Sequence, residues 1–169
     1  MIVSSKAQLE KDKVDEQIEK QKKNIDYNTI AITIEDLIQQ IRPQSSENTQ
    51  ESKIYLPNDQ DKLIWSEERQ SQFIESMMLG LPINPVFIAE NKQKEIIDGV
   101  QRIKTLSRFI YNELVLSQLK VLTSLNNFNF QDLSLFQQRK FKYKTIKIII
   151  FFHTNTEMRR YIFKRLNHK

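Results

Sequence analysis

The sequence predicts an α+β fold in which helices pack on a small mixed β-sheet. Two kinds of hydrophobic pattern indicate this class: apolar residues recur at helical spacing in several segments, and short apolar runs bounded by turn residues occur between them. The two patterns are mixed along the chain, without the strict alternation that a parallel α/β sheet requires. At 169 residues the chain has the length of one domain with a real core.

The amino-terminal part predicts a charged helical extension. Residues 6–24 alternate acidic and basic side chains, including the i,i+4 pair Glu16–Lys20, and contain few apolar anchors. This composition favours a solvated helix, as a tail or an extension docked on a partner, over a core element. We therefore assign residues 1–28 to the extension and residues 29–169 to the folded domain.

The folded domain opens with short elements. A segment starting at Thr33 resembles a capping box and continues into a helical stripe that ends before Pro43. Residues 44–52 are polar and predict a loop, after which Ile54 and Leu56 alternate as in a short strand.

A helix and a hairpin follow. Ser66 is a predicted N-cap and Gly80 a predicted left-handed stop for the helix between them. Apolar runs at residues 85–89 and 95–97 flank a polar turn at residues 90–94, which predicts a β-hairpin.

The turn Asp98-Gly99-Val100-Gln101-Arg102 connects this hairpin to a helix over residues 101–112. The first N–H groups of a helix lack internal partners and attract anions, so a phosphate would fit here. Asp98 would then hold a metal ion or a water, and Arg102 would bind phosphate oxygens. The alternative is that Gly99 is only a tight turn, Asp98 an N-cap and Arg102 a solvated residue.

The last third predicts a helix, a strand and a helix. The first helix starts at about Ser134, and the apolar strand at residues 146–152 has the composition of a strand covered on both faces. A capping box at residues 154–157 opens the final helix. Its predicted inward residues are Met158, Tyr161, Ile162 and Leu166.

Charge is distributed unevenly along the chain. Residues 1–100 hold 12 Lys/Arg against 18 Asp/Glu, whereas residues 101–169 hold 14 against 3, which gives the second part +11. Such a field attracts polyanions and indicates nucleic acid or a polyphosphate ligand as partner. The alternative is a basic surface that pairs with the acidic first part or with an acidic partner chain.

Aromatic residues alternate with basic ones between residues 128 and 144. The aromatic members are Phe128, Phe130, Phe136, Phe141 and Tyr143, and the basic ones are Arg139, Lys140, Lys142 and Lys144. Such interleaving can stack bases beside phosphate contacts. Core packing is the alternative explanation for most of the aromatic residues.

Several classes are disfavoured by composition. There is no cysteine and no apolar run long enough to span a bilayer, so we expect a cytoplasmic protein without a membrane partner. His153 and His168 lack metal-binding spacing, and no Walker glycine loop or Ser/His/Asp set is present.

The chain resembles the domain family whose hallmark is a DGQQR motif, the amino-terminal half of GmrSD-type and SspE-type modification-sensing defence proteins. The similarity follows the family's order over roughly residues 30–169. It includes Gln60, Trp65, Gly80-Leu81-Pro82-Ile83, Asp98-Gly99-Val100-Gln101-Arg102, Thr105-Leu106 and Ile162-Phe163-Lys164-Arg165-Leu166-Asn167. The resemblance implies a ParB/sulfiredoxin-like fold.

It also implies nucleoside triphosphate binding, with Mg²⁺ as cofactor, and hydrolysis that controls a nuclease in another domain or chain. Some members sense modified DNA, which makes DNA a further expected partner. Asp98, Gln101 and Arg102 match the motif's Asp, second Gln and Arg and are the implied catalytic residues, with Asp98 as the metal ligand. The implied nucleotide-binding residues are Gln60, Gly99, Val100, Thr105, Arg165 and Asn167.

Three departures keep other functions open. Val100 replaces the motif's first Gln, Asp61 replaces an Arg of the upstream YQR-like segment, and family members usually continue beyond Asn167. Nothing in the sequence resembles the family's nuclease. The alternatives are therefore a non-catalytic ParB-like DNA-binding or protein-interaction module, or an incomplete fragment that needs further residues or a partner.

Overall fold

The computed structural model describes residues 3–23, 25–41, 54–55, 65–91 and 93–167. Its helices are α1 (Val3–Lys22), α2 (Ile34–Gln40), α3 (Glu67–Leu79), α4 (Val100–Ile110), α5 (Leu135–Lys142) and α6 (Thr156–Asn167). Its strands are β1 (Asp26–Thr33), β2 (Ile54–Tyr55), β3 (Val86–Glu90), β4 (Lys94–Asp98) and β5 (Thr145–Phe152). Two 3₁₀ turns, Thr123–Leu125 and Phe130–Asp132, lie between α4 and α5.

The strands described in these ranges form one mixed sheet. Their order is β1-β5-β3-β4-β2, with antiparallel pairs β1–β5 and β3–β4 and parallel pairs β5–β3 and β4–β2. This architecture confirms the predicted α+β class and the predicted hairpin. Strand β1 has no counterpart in the sequence prediction, and it begins at Asp26, within the segment assigned to the extension. Leu56, expected in β2, lies outside the described residues.

The core lies between one face of the sheet and helices α2, α3 and α4. Ile146, Ile148 and Ile150 of β5 are buried in it together with apolar residues of those helices. The other face of β5 is more open, with Lys147 exposed and Phe151 only half-buried. The prediction that β5 is covered on both faces is therefore wrong, because the large helical layer packs on one side only.

Helix ends follow the predicted caps with one exception. Thr33 Oγ1 accepts from the N–H of Asp36 at 3.1 Å, and Ser66 caps α3 in the same way. In α6, Asn155 Oδ1 accepts from the N–H of Met158 at 2.7 Å, and the helix begins at Thr156. The predicted capping box at residues 154–157 is thus wrong by one residue, because the asparagine is itself a strong cap.

Helix α6 turns only part of the predicted face inward. Met158 and Ile162, one helical turn apart, are half-buried, whereas Tyr161 is 51% exposed and Leu166 39% exposed. Contact with the sheet is made mainly through β4, which covers a narrow stripe of the helix. None of the described helices combines the length and apolar composition needed to cross a bilayer.

The long segment between α4 and α5 is fastened to α3 by buried polar groups. Glu75, 8% exposed, accepts with Oε1 from the N–H groups of Val121 at 2.9 Å and Leu122 at 2.7 Å. Ser71 Oγ accepts from the N–H of Ser117 at 3.0 Å. These bonds satisfy backbone donors that have no strand or helix partner, so α3 acts as the template for the segment.

We expect Glu75→Ala to lower the free energy of unfolding by about 2–4 kcal/mol, because two loop N–H groups lose their acceptor. Glu75→Gln keeps an acceptor oxygen at the same place and is the matched control, with an expected loss of about 1 kcal/mol. Urea unfolding of the three proteins measures both values. A Glu75→Ala protein as stable as the wild type would contradict this template role.

Candidate functional site

The candidate site lies where β4 ends and α4 begins. Within the β3–β4 ladder, Ile88 pairs with Ile96 but Phe87 pairs with Asp98, so one extra residue of β4 forms a bulge. A bulge increases the local twist and redirects the side chains beside it. The bulge therefore sets the direction of the Asp98 carboxylate at the end of the strand.

Gly99 is the N-cap of α4 and has no side chain to bond the first N–H groups of the helix. Its φ is +111°, a conformation that side-chain-bearing residues rarely adopt. A Cβ built on it would lie 3.0 Å from Cγ2 of Val86 and 3.2 Å from Nη2 of Arg102. Both the backbone conformation and the close packing thus require glycine here.

Arg102 fixes this junction from the first turn of α4. Its Nη2 donates to Oδ2 of Asp98 at 2.5 Å, and its Nη1 donates to the carbonyl oxygens of Asn84 and, at 3.0 Å, of Pro85. The Arg102 side chain is only 12% exposed and the Asp98 side chain 25% exposed. Neither the solvated Arg102 nor the Asp98 N-cap of the simpler alternative is found.

The charge of Arg102 is held in a partly desolvated position. Burial lowers the pKa of the Arg102 guanidinium, and the neighbouring Asp98 carboxylate opposes that shift by attraction and hydrogen bonding. A guanidinium starts from so high a pKa that it stays protonated in spite of this shift. The junction therefore contains a permanently charged guanidinium, and an anion that binds it at Nη2 would have to displace the Asp98 carboxylate.

Gln101 connects the same turn to helix α3. Its Oε1 accepts from the N–H of Trp65 at 3.2 Å, and the carbonyl of Trp65 accepts from Nε2 of Gln70 at 2.9 Å. Gln70, 1% exposed, in turn accepts from Arg108 at 2.6 Å, and Arg108 also donates to the carbonyl of Glu113 at 3.0 Å. Gln70 and Arg108 were not predicted from the sequence, because these bonds join residues that are far apart in the chain.

Two of the predicted nucleotide-binding residues lie in the core. Val100 is 4% exposed, and Thr105 is fully buried with its hydroxyl bonded to the carbonyl of Gln101 at 2.8 Å. The side chain of Val100 therefore packs in the core, and its backbone N–H lies in the first turn of α4. The valine that departs from the family motif serves in packing.

The remaining predicted residues are not brought to the turn by any described contact. Arg165 is exposed, and its guanidinium lies 5.1 Å from the ring centroid of Tyr161 in the same helix. Asn167 ends α6, but its side chain is outside the described residues, as are Gln60 and Asp61 entirely. The structure therefore brings together Asp98, Gly99, Gln101 and Arg102.

A metal ion would find one carboxylate at this turn, that of Asp98. Among the described residues no group of three or more His, Cys, Asp or Glu is arranged to hold a metal. Mg²⁺ is commonly bound by one or two carboxylates together with substrate phosphates. Asp98 is thus the residue of this turn whose carboxylate could hold a metal ion.

Comparison with known proteins identifies a family for this chain. Residues 34–169 match the family model described as GmrSD restriction endonuclease, N-terminal domain. The match begins at the first residue of α2 and extends to the end of the chain, so it includes the Asp98–Arg102 turn. No curated protein and no solved structure gives a significant match.

We expect Gly99→Ala to lower the free energy of unfolding by about 2–5 kcal/mol, since it adds both backbone strain and a clash with Val86. Gly80→Ala is the matched control, because Gly80 has φ +78° but no atom within 4 Å of the place that a Cβ would occupy. Strain alone predicts a loss of about 1–2 kcal/mol there. Equal losses in denaturant unfolding of the two variants would show that the close packing at Gly99 is unimportant.

Proposed function

The chain belongs to the family of GmrSD restriction endonuclease N-terminal domains, and from that premise we propose that it is a nucleotide-binding regulatory domain of a restriction or defence protein. The ligand is a nucleoside triphosphate with Mg²⁺, bound at the start of α4. A nuclease that it regulates would be another domain or subunit.

The observation that carries this proposal is the start of α4, which has no side-chain cap and lies beside the Asp98–Arg102 ion pair. Gly99 leaves the first N–H groups of the helix without a side-chain cap. These groups and the helix dipole favour an anion, and phosphate is the anion most often bound in this way. The residues matched by the family model, 34–169, include this segment.

In the proposed site, Arg102 exchanges its bonding partner when the nucleotide binds. A bound phosphate group would compete with Asp98 for Nη2 of Arg102, since charged oxygens bond strongly to the planar guanidinium. The carboxylate displaced from that bond would hold the Mg²⁺ that accompanies the triphosphate. When bound, the ion supplies charge neutralisation at the phosphate oxygens.

The same residues provide a route to hydrolysis. Gln101 can orient a water with its amide, and Arg102 can neutralise charge on the transferred phosphoryl group. Because Gln101 also accepts from the N–H of Trp65, a change in its position would be passed to the start of α3. The bound nucleotide and the surface of α3 would then be coupled, as a regulatory domain requires.

We expect a nucleotide-dependent rise in melting temperature when the full chain is titrated with GTP, ATP, UTP and CTP plus Mg²⁺. At a ligand concentration one hundred times Kd the rise would be about 5–10 °C for a domain of this size. Asp98→Asn and Arg102→Lys should abolish the rise while still melting cooperatively. Arg139→Lys, on an exposed side chain of α5, is the matched control and should keep it.

A cooperative melt with no shift for any nucleotide, or a shift that both turn variants retain, would remove the proposed site. If no nucleotide shifts the melting temperature, the non-catalytic DNA-binding or protein-interaction module becomes the better hypothesis.

We expect Asp98→Ala and Arg102→Ala to lose most nucleoside triphosphatase activity, at least about a hundredfold in kcat, because the first removes the proposed metal ligand and the second removes the charge that neutralises the phosphoryl group. Phosphate release under saturating nucleotide measures this loss. Unchanged turnover in both variants would contradict the assigned roles, whereas binding without turnover in the wild type would restrict the proposal to regulation by binding.

A further inference from the structure

A pocket of about 580 Å³ opens at the end of the sheet, and none of its lining residues belongs to the Asp98–Arg102 turn. Strand β5 pairs with β1 from Thr145 onward, but with β3 only from Ile148 onward. The first residues of β5 therefore have a strand neighbour on one side only, and the pocket lies at that gap. Its volume is within the range of small-molecule sites, roughly 300–1,000 Å³.

The pocket combines an apolar floor with a basic rim. Met77, Leu81, Ile83 and Ile146 contribute apolar surface, and Tyr143, Lys144 and Lys147 contribute the polar side. None of the lining residues, all of which are described, is acidic. Within the part of the chain that the structure describes, the ammonium groups of Lys144 and Lys147 have no ion-pair partner.

The exposed face of α5 leads to this pocket. Phe136, Lys140 and Tyr143 are spaced i, i+4 and i+7, so they lie on one face, with Arg139 beside them. Phe136 is 70% exposed and Tyr143 66% exposed. Phe130 and Phe141, from the same aromatic and basic stretch of the sequence, are buried in the core instead. The structure thus separates the core aromatics from the two that are available to a ligand.

We infer that the pocket receives one base of a single-stranded nucleic acid whose backbone follows this face of α5. Aromatic rings stack on bases, and unpaired lysines bind phosphates, which is the combination found in proteins that bind single strands. From Phe136 to Tyr143 the face extends about 10 Å along the helix, which is longer than one base and favours a strand over a free nucleotide. The +11 charge of residues 101–169 adds long-range attraction.

The test is fluorescence anisotropy of a labelled 12-nucleotide DNA strand with the full chain at several salt concentrations. Lys144→Gln combined with Lys147→Gln should raise Kd at least about tenfold and reduce the salt slope by about 1.4, the value for two lost phosphate contacts on a single strand. Tyr143→Ala should raise Kd at least about fivefold without changing the slope, because it removes stacking and no charge.

The matched control is Arg160→Gln combined with Lys164→Gln, which removes the same charge from exposed positions of α6. It should change Kd less than about threefold, since it lies outside the proposed path. A loss equal to that of the pocket pair would show attraction by net charge alone and overturn the proposal. An unchanged Kd for Tyr143→Ala would overturn the proposed stacking of a base on Tyr143.

Competition with unlabelled molecules distinguishes a single strand from the other candidate ligands. The fully paired duplex and poly-glutamate should displace the labelled strand only at much higher concentration, and a mononucleotide should compete weakly. Equal competition by poly-glutamate would identify an acidic protein partner, and equal competition by a mononucleotide would identify a free nucleotide; either result overturns the proposal. Strand binding is measured without nucleotide or Mg²⁺, and nucleotide binding is measured by the melting titration without the strand, so this site and the proposed nucleotide site can fail separately.

Discussion

The bonds of Arg102 join three parts of the backbone that are separate in the sequence. They hold the end of β4, the first turn of α4 and the loop before β3 in one arrangement. A buried guanidinium requires oxygen partners in its plane, because an unpaired buried charge is strongly destabilising. The carbonyl oxygens of Asn84 and Pro85 and the carboxylate of Asp98 meet that requirement together. The path of the chain from α3 to α4 depends on these bonds of Arg102.

The need to pair the buried Arg102 guanidinium explains which residues stand next to it and where they lie. Gly99 leaves room for the guanidinium, since a Cβ would lie 3.2 Å from Nη2 of Arg102. The bulge in β4 places Asp98 opposite Phe87, at the strand end that Arg102 reaches. Val100 and Thr105 fill the core behind the turn. A motif that resembles a ligand site is thus also a structural joint, and a nucleotide bound there would act on the joint itself.

The loop before β3 connects the two proposed sites. Pro82 and Ile83 line the pocket beside β5, and Asn84 and Pro85 bond Arg102. If a phosphate changed the bonds of Arg102, the constraint on this loop would change, and with it the wall of the pocket. Such coupling is reciprocal, so a nucleic-acid strand bound in the pocket would change the nucleotide affinity by the same factor by which the nucleotide changes the affinity for the strand. For a domain related to restriction proteins, this offers a physical link between nucleic acid and nucleotide.

Elements that depend on local physics can be located from the sequence alone. Hydrophobic spacing and caps at Ser66 and Gly80 located α3, and the Asp98–Arg102 turn was recognised because strand, glycine and helix start are adjacent. Strand β1 and the open face of β5 were decided only in the tertiary structure, since pairing and the placement of helices depend on distant segments. The same holds for the bonds of Gln101 to Trp65 and of Arg108 to Gln70, which join residues 36 and 38 positions apart. A sequence shows which groups a side chain can bond, but only the folded chain decides which of them come within reach.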